Sequence, residues 1–257
     1  MRKFLFLSVI VATCLFSACA SHYRVTGVNL TRILVDTVYD AHPDENAIAF
    51  LAPYKQQVDS VMGPVVGIAA CDMAADRPEG NLSNLLPDIF VYMAKYYQET
   101  PDFAVYNMGG IRAGLVKGEV TYGDILDVAP FENKICFLTL TGDKVLELFS
   151  QIAKRGGEGV SKGVQLVITR EGKLVSARLH GKEIDPQADY RIATIDYLIQ
   201  GNDGMPALAS GFNMNTPKDQ KNNARFIIRD YFHEMLMKGE MVDAKVEGLI
   251  VVRLNEI

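Results

Sequence analysis

The stretch Phe103-Ala104-Val105-Tyr106-Asn107-Met108-Gly109-Gly110-Ile111-Arg112 decides how this chain is read. Phe103 to Tyr106 makes a compact strand. The strand runs into a loop whose glycines permit positive φ and let a ligand approach the backbone. Arg112 adds a planar donor fork suited to phosphate or carboxylate. Upstream, Asn81 or Ser83 can cap a helix running to about Gln98, in which Pro87 is tolerable only in the first turn. Val65 to Ala70 is a short apolar strand, and Gly63-Pro64 stops a preceding helix over Asp44 to Met62. That helix carries Ile48, Leu51, Tyr54, Val58 and Val61 on one face. Val25 to Val38 reads as strand-rich, with Val28, Leu30, Ile33, Leu34 and Val35.

Downstream the alternation continues. Ile135 to Leu140 is a strand, and Thr141 caps a helix from about Asp143 to Lys154. Gly156, Gly157, Gly159 and Gly163 mark an expected mobile loop. Val164 to Ile168 and Leu174 to Leu179 form a hairpin around Glu171-Gly172, and Tyr190 to Ile195 is a further strand. An amphipathic helix over Asn222 to Lys238 precedes a closing strand from Leu249 to Leu254. There is no proline-rich linker and no internal repeat. The pattern predicts a mixed α/β (α+β) domain with antiparallel pairs over residues 45–257, with 19–44 as a lead-in.

The 257 residues are 49% hydrophobic and carry a net charge of -5. That is too apolar and too weakly charged for a disordered chain. No basic excess exists to neutralise phosphates along a nucleic-acid polymer. Arg2 and Lys3 precede an apolar run from Phe4 to Phe16 and then Ser17-Ala18-Cys19-Ala20. This is a secretory signal over residues 1–18, too short to cross a bilayer. Cys19 is either the lipid-modified residue of a bacterial lipobox or part of an ordinary A-x-A cleavage segment. Both readings place the mature protein outside the cytoplasm, in the periplasm or anchored to the outer membrane of a bacterium. A lipid anchor would be its one link to the membrane. Cys71 and Cys136 sit in apolar surroundings and read as buried, inert thiols, with a pairing in an oxidising compartment as the alternative.

Three loops at strand ends carry the chemistry: Asn107 to Arg112, Pro130-Phe131-Glu132-Asn133, and Asp196 to Gly204 with Tyr197 and Asp203. Each has a plainer reading: a Gly-Gly turn with a surface Arg, a core Phe at a strand entrance, and an Asx turn. Together they offer two aromatic faces, two amides, a carboxylate and an Arg. That set suits a nucleoside or nucleotide, with base stacking, ribose hydroxyls on Asp203 and phosphate on Arg112. The inference requires the three loops to converge, which spacing alone does not establish.

The motifs Asn107-Met108-Gly109-Gly110-Ile111-Arg112, Gly118-Glu119-Val120-Thr121-Tyr122-Gly123-Asp124-Ile125, Pro130-Phe131-Glu132-Asn133, Thr194-Ile195-Asp196-Tyr197-Leu198 and Gly201-Asn202-Asp203-Gly204 resemble the C-terminal domain of the 5′-nucleotidase family. Arg77-Pro78-Glu79-Gly80-Asn81-Leu82-Ser83-Asn84-Leu85 adds to the resemblance, which spans roughly residues 45 to 255. It implies a single domain of mixed sheets sandwiched between helices that binds a nucleotide. Phe131 and Tyr197 would sandwich the base, and Asp203 would hold the ribose. Arg112 and Arg77 would contact phosphate, and Asn107 and Asn133 would add polar contacts. Gly109 and Gly110 belong to the same substrate set. Met108, Glu132 and Asn202 depart from the family pattern, and Tyr197 stands where it has Phe, a change expected to be conservative.

The family's two-metal centre lies in a separate metallophosphoesterase domain, for which the chain is expected to have no room. Its four histidines are isolated, and no Ser-His-Asp or Cys-His constellation stands out. No catalytic residue, cofactor or metal is therefore expected in this chain. Three readings follow. The chain is the substrate-holding half of a split phosphohydrolase whose divalent metals sit on a separately encoded metallophosphoesterase subunit. Or it is a stand-alone periplasmic nucleoside- or nucleotide-binding lipoprotein. Or it is a structural lipoprotein with a drifted pocket.

Overall fold

The computed structural model describes residues 23–34 and 37–253. The expected signal segment and Cys19 lie outside the described residues. The chain divides into two units, 1–51 and 52–257. In the first, residues 23–34 have no regular structure and 37–41 form a 3₁₀ turn. The strand expected over Val25 to Val38 is thus absent among the described residues, and Val25, Val28, Leu30, Ile33 and Leu34 are all exposed. β-Branched composition favours a strand only where a neighbouring strand or a core is there to receive it.

Helix α1 spans Glu45–Met62 as the apolar spacing predicts, and Asp44 caps it by accepting from the Asn46 and Ala47 amides. Its five apolar-face residues are nevertheless exposed, so periodicity located the helix but not its burial.

The second unit is built around a five-stranded mixed sheet of β2 (Phe103–Tyr106), β4 (Ile135–Thr141), β5 (Gly159–Val160), β9 (Asp189–Ile195) and β10 (Phe212–Asn215). Their order is β10-β4-β9-β2-β5. β1 (Val65–Ala69) pairs with β3 (Gly118–Thr121). A third sheet joins β6 (Val164–Thr169), β7 (Leu174–Leu179), β8 (Lys182–Glu183) and β11 (Ile250–Arg253). All four residues of β2 are buried, as are the first six of β4. Successive strand residues face opposite ways, so the sheet is covered on both sides. The rings show what covers it. Phe103 meets Phe149 of α4 (Gly142–Lys154) at 5.3 Å, and Tyr106, three residues on, meets Phe90 of α2 (Asn81–Met93) at 5.6 Å. Two further helices, α3 (Tyr122–Val128) and α5 (Ala224–Met237), pack on each other, and α5 also packs on β1.

Helix α2 continues past Met93 as a 3₁₀ turn to Tyr97, close to the expected end at Gln98, but departs from expectation in two ways. Its N-cap is Gly80 rather than Asn81 or Ser83, and Gly80 shares reciprocal hydrogen bonds with the Ser83 hydroxyl. Pro87 is the seventh helical residue rather than a first-turn one. The larger correction is the Gly156–Gly163 stretch, which is not a free loop. Gly159 and Val160 pair with Tyr106 and Val105 as the edge strand. Gly157 takes φ 112, and a Cβ there would lie 2.2 Å from the Pro78 carbonyl oxygen. Glycine at this spot lets two chain segments touch. Among the described residues, Cys71 and Cys136 are free thiols. Cys136 is buried and its thiol is pushed up to about 12 by burial, whereas Cys71 is only half-buried.

Candidate functional site

Strand direction brings the three loops to one place. β2 and β9 run parallel, so Asn107 and Tyr197 follow their carboxyl ends on the same edge of the sheet. β4 lies antiparallel to β9, with Ile135 opposite Ile195, so Phe131 and Asn133 enter at that edge too. β5 starts opposite Tyr106, which adds Glu158 to the group. Asn107, Gly109, Gly110, Phe131, Asn133, Tyr197 and Asp203 line one cleft of about 220 Å³. Phe131 is 46% exposed and Tyr197 half-buried, so neither ring is plugged into the core.

Inside the cleft, Asp203 is the polar hub. Its Oδ2 accepts from Asn107 Nδ2 at 2.5 Å, and its Oδ1 accepts from the Tyr197 hydroxyl at 3.1 Å. The same hydrogen bond to Asp203 raises the Tyr197 phenol above its ordinary value. Asn107 is buried, and its Oδ1 has no donor among the described residues. A Cβ on Gly110 would lie 2.8 Å from that oxygen, so glycine there keeps the amide where it is.

Glu158 fastens the turn from beneath. Its side chain is fully buried and accepts from Arg77 Nη2, Arg155 Nε and the Met108 amide, each at 2.5 Å. Charge-assisted bonds of this kind are about twice as strong as neutral ones. Pattern reading passed over Glu158 and Arg155 because a Gly-rich stretch reads as a loop. The acid within it, three residues after an Arg, was the signal available.

Two expected site residues lie outside the lining. Arg77 is committed to Glu158 and to the Gly157 carbonyl. Arg112 is exposed and reaches only the rim, with Nη1 at 3.5 Å from the Gly109 carbonyl. The lining therefore carries one carboxylate and no cation.

A family profile described as 5′-nucleotidase, C-terminal domain, matches residues 61–210, more than half of the chain. This chain belongs to that family. Protein UshA of Escherichia coli (strain K12) is 25% identical over 207 residues, covering 79% of this chain and 36% of that protein. Protein UshA of Yersinia enterocolitica is 30% identical over 175 residues, covering 64% and 30% respectively. The chain thus spans about a third of the length of these curated relatives. The crystal structure of a 5′-nucleotidase precursor from Thermus thermophilus superposes with a TM-score of 0.70 and 26% identity, over 85% of this chain and 45% of that one.

Within this 5′-nucleotidase C-terminal domain, the three residues that depart from the family pattern each have a partner inside the protein. Glu132 pairs with Arg225 Nη2 at 2.9 Å, while Arg225 Nη1 donates to the Pro130 carbonyl, so the pair braces the loop that carries Phe131. Met108 is buried and gives its amide to Glu158. Asn202 Nδ2 donates to the Tyr197 carbonyl at 2.9 Å. Tyr197 is more than a conservative replacement, because its hydroxyl holds Asp203.

A larger groove, of about 720 Å³, lies between Tyr96, Tyr97 and α5. Of its three carboxylates, Glu234 is already bonded by Tyr92, Tyr96, Lys95 and Lys238, Asp230 pairs with Arg229 and Asp219 with Lys221. Tyr97 donates to Asn222. Much of its polar chemistry is spent internally, whereas the smaller cleft presents an unmatched buried amide oxygen and two accessible rings.

Proposed function

We propose that this chain holds the base and sugar of a nucleotide whose phosphate ester is cleaved by a separately encoded metallophosphoesterase. The observation that carries the reading is the meeting of Phe131, Tyr197, Asn107, Asn133 and Asp203 around one cleft. Rings offer stacking faces of about 1–3 kcal/mol per base, and the carboxylate accepts from sugar hydroxyls. With no cation in the lining, the phosphate is left to project past the rim, where Arg112 stands. Among the described residues no three His, Cys, Asp or Glu side chains gather as a metal requires. The residues present do not fit a divalent centre, and the reading assigns that centre to the partner. The work of this chain is then to position the ester, which contributes through orientation rather than bond chemistry.

The test is AMP hydrolysis with Mn²⁺ or Zn²⁺, alone and after addition of a metallophosphoesterase encoded beside this chain. Turnover that requires both proteins supports the reading. Calorimetric binding of adenosine and AMP with no turnover under either condition favours a stand-alone nucleoside-binding lipoprotein. The cation-free lining gives that second reading its support. No nucleoside binding at millimolar concentration sinks both. We also propose export through residues 1–18 with a lipid on Cys19. Incorporation of labelled palmitate that survives Cys19→Ser would refute the anchor.

A further inference from the structure

Asp203 occupies the left-handed region at φ 52 and takes one donor on each carboxylate oxygen, from two different loops. The torsion that turns an aspartate carboxylate about its Cβ–Cγ bond is broad and soft. A single donor would leave the plane of the carboxylate free to swing, whereas donors on both oxygens fix it. An ionised carboxylate has about four lone-pair sites, so two donors leave acceptor capacity on both oxygens. A vicinal diol brings two adjacent hydroxyl donors, and a carboxylate held in one plane receives them as a pair. Tyr197 supplies one of the two fixing donors from the edge of a ring that also lines the cleft.

We infer that the Tyr197 hydroxyl is a positioning group that sets Asp203 for a cis-diol, so that this chain selects ribonucleosides over nucleosides lacking the sugar hydroxyls. This rests on the nucleoside reading above and deepens it. Tyr197 thereby couples two recognitions through one side chain, base by its face and sugar by its hydroxyl. A phenol's ordinary value of about 10 already keeps it a donor throughout the physiological range.

Calorimetry with adenosine and 2′,3′-dideoxyadenosine separates the two claims. The wild-type protein is expected to favour adenosine about tenfold or more, the scale of a hydrogen bond to a charged group. Tyr197→Phe keeps the ring and is expected to weaken adenosine about three- to tenfold while leaving dideoxyadenosine unchanged. Equal loss on both ligands, or no loss on either, overturns the inference. Equal wild-type affinity for both sugars overturns diol selection and leaves the nucleoside site standing. Failure to bind either one removes both readings. A ligand-free measurement stands beside these: ¹³C-tyrosine NMR of Tyr197 across pH, in the wild type and in Asp203→Asn. The phenol is expected to titrate high in the wild type and to fall toward about 10 in the variant. A titration unmoved by Asp203→Asn refutes the hydrogen-bonded lock whatever the binding data show.

Discussion

Two carboxylates flank the Asn107–Gly110 turn and differ in how fully they are matched. Glu158, beneath it, is fully buried and has three donors, two of them guanidinium groups. Asp203, in the cleft, has two uncharged donors, from Asn107 and Tyr197, and remains part-exposed. Burying a charge is tolerable only when partners replace its water. Glu158 meets that condition and has little left to offer a ligand. Asp203 keeps acceptor capacity facing a cavity. The same functional group is thus a fastening in one place and an open acceptor in the other, and the difference lies in its donors. Asp88 of α2 extends the series to the poorly matched end. It accepts one backbone hydrogen bond, from Lys162, and burial, with Glu247 nearby, pushes it up to about 6.

Glu158→Gln strikes the contrast hardest, because it strands Arg77 and Arg155 beside a neutral side chain. Both arginines are about a third exposed and can partly rehydrate, so the expected loss of stability is about 2–4 kcal/mol, read from the urea midpoint. A loss no greater than that of Asp203→Asn would erase the distinction between fastening and open acceptor. Asp203→Asn keeps a residue type at ease at positive φ, so it should fold almost normally. It is expected to weaken adenosine by about 2 kcal/mol in calorimetry. Phe131→Ala should cost about 1–2 kcal/mol of nucleoside affinity with little change in stability, since the ring is already open to solvent.

The smallest effect belongs to Asp88. Its folded-state pKa is raised above the unfolded value, so it favours the folded state fully below about pH 4 and loses that contribution as pH rises through about 6. Asp88→Asn is expected to stabilise the protein at pH 7 by about 1 kcal/mol and to flatten the pH 4–6 slope of the urea midpoint. A variant whose slope matches the wild type would show that Asp88 is not the unmatched end of the series.

Local pattern located most elements of the second unit because their burial follows directly from apolar spacing. β2, β4, β6, β7 and β9 all fall within a residue or two of where that spacing puts them. It misjudged residues whose role depends on a distant neighbour. Val25, Val28, Leu30, Ile33 and Leu34 are strand-forming types, yet residues 23–34 take no regular structure and these side chains are exposed. Gly159 and Val160 form a strand only because Tyr106 and Val105 lie alongside them. Glu158 is matched in its buried place because Arg77, 81 positions earlier, and the Met108 amide join Arg155 in bonding it.

By itself the amino-acid order determined the family, the alternation of helices and strands, and the residue types a nucleoside would meet. Those follow from short-range rules: side-chain period, turn chemistry and ring or carboxylate identity. Only the tertiary structure decided which of them share a cleft, since that depends on β9 running parallel to β2 and antiparallel to β4. It also decided that Arg77 fastens the turn from outside the cleft, and that Tyr197 has a second use for its hydroxyl. Packing selects such partners, whether they lie 81 positions apart as Arg77 and Glu158 do or six apart as Tyr197 and Asp203 do.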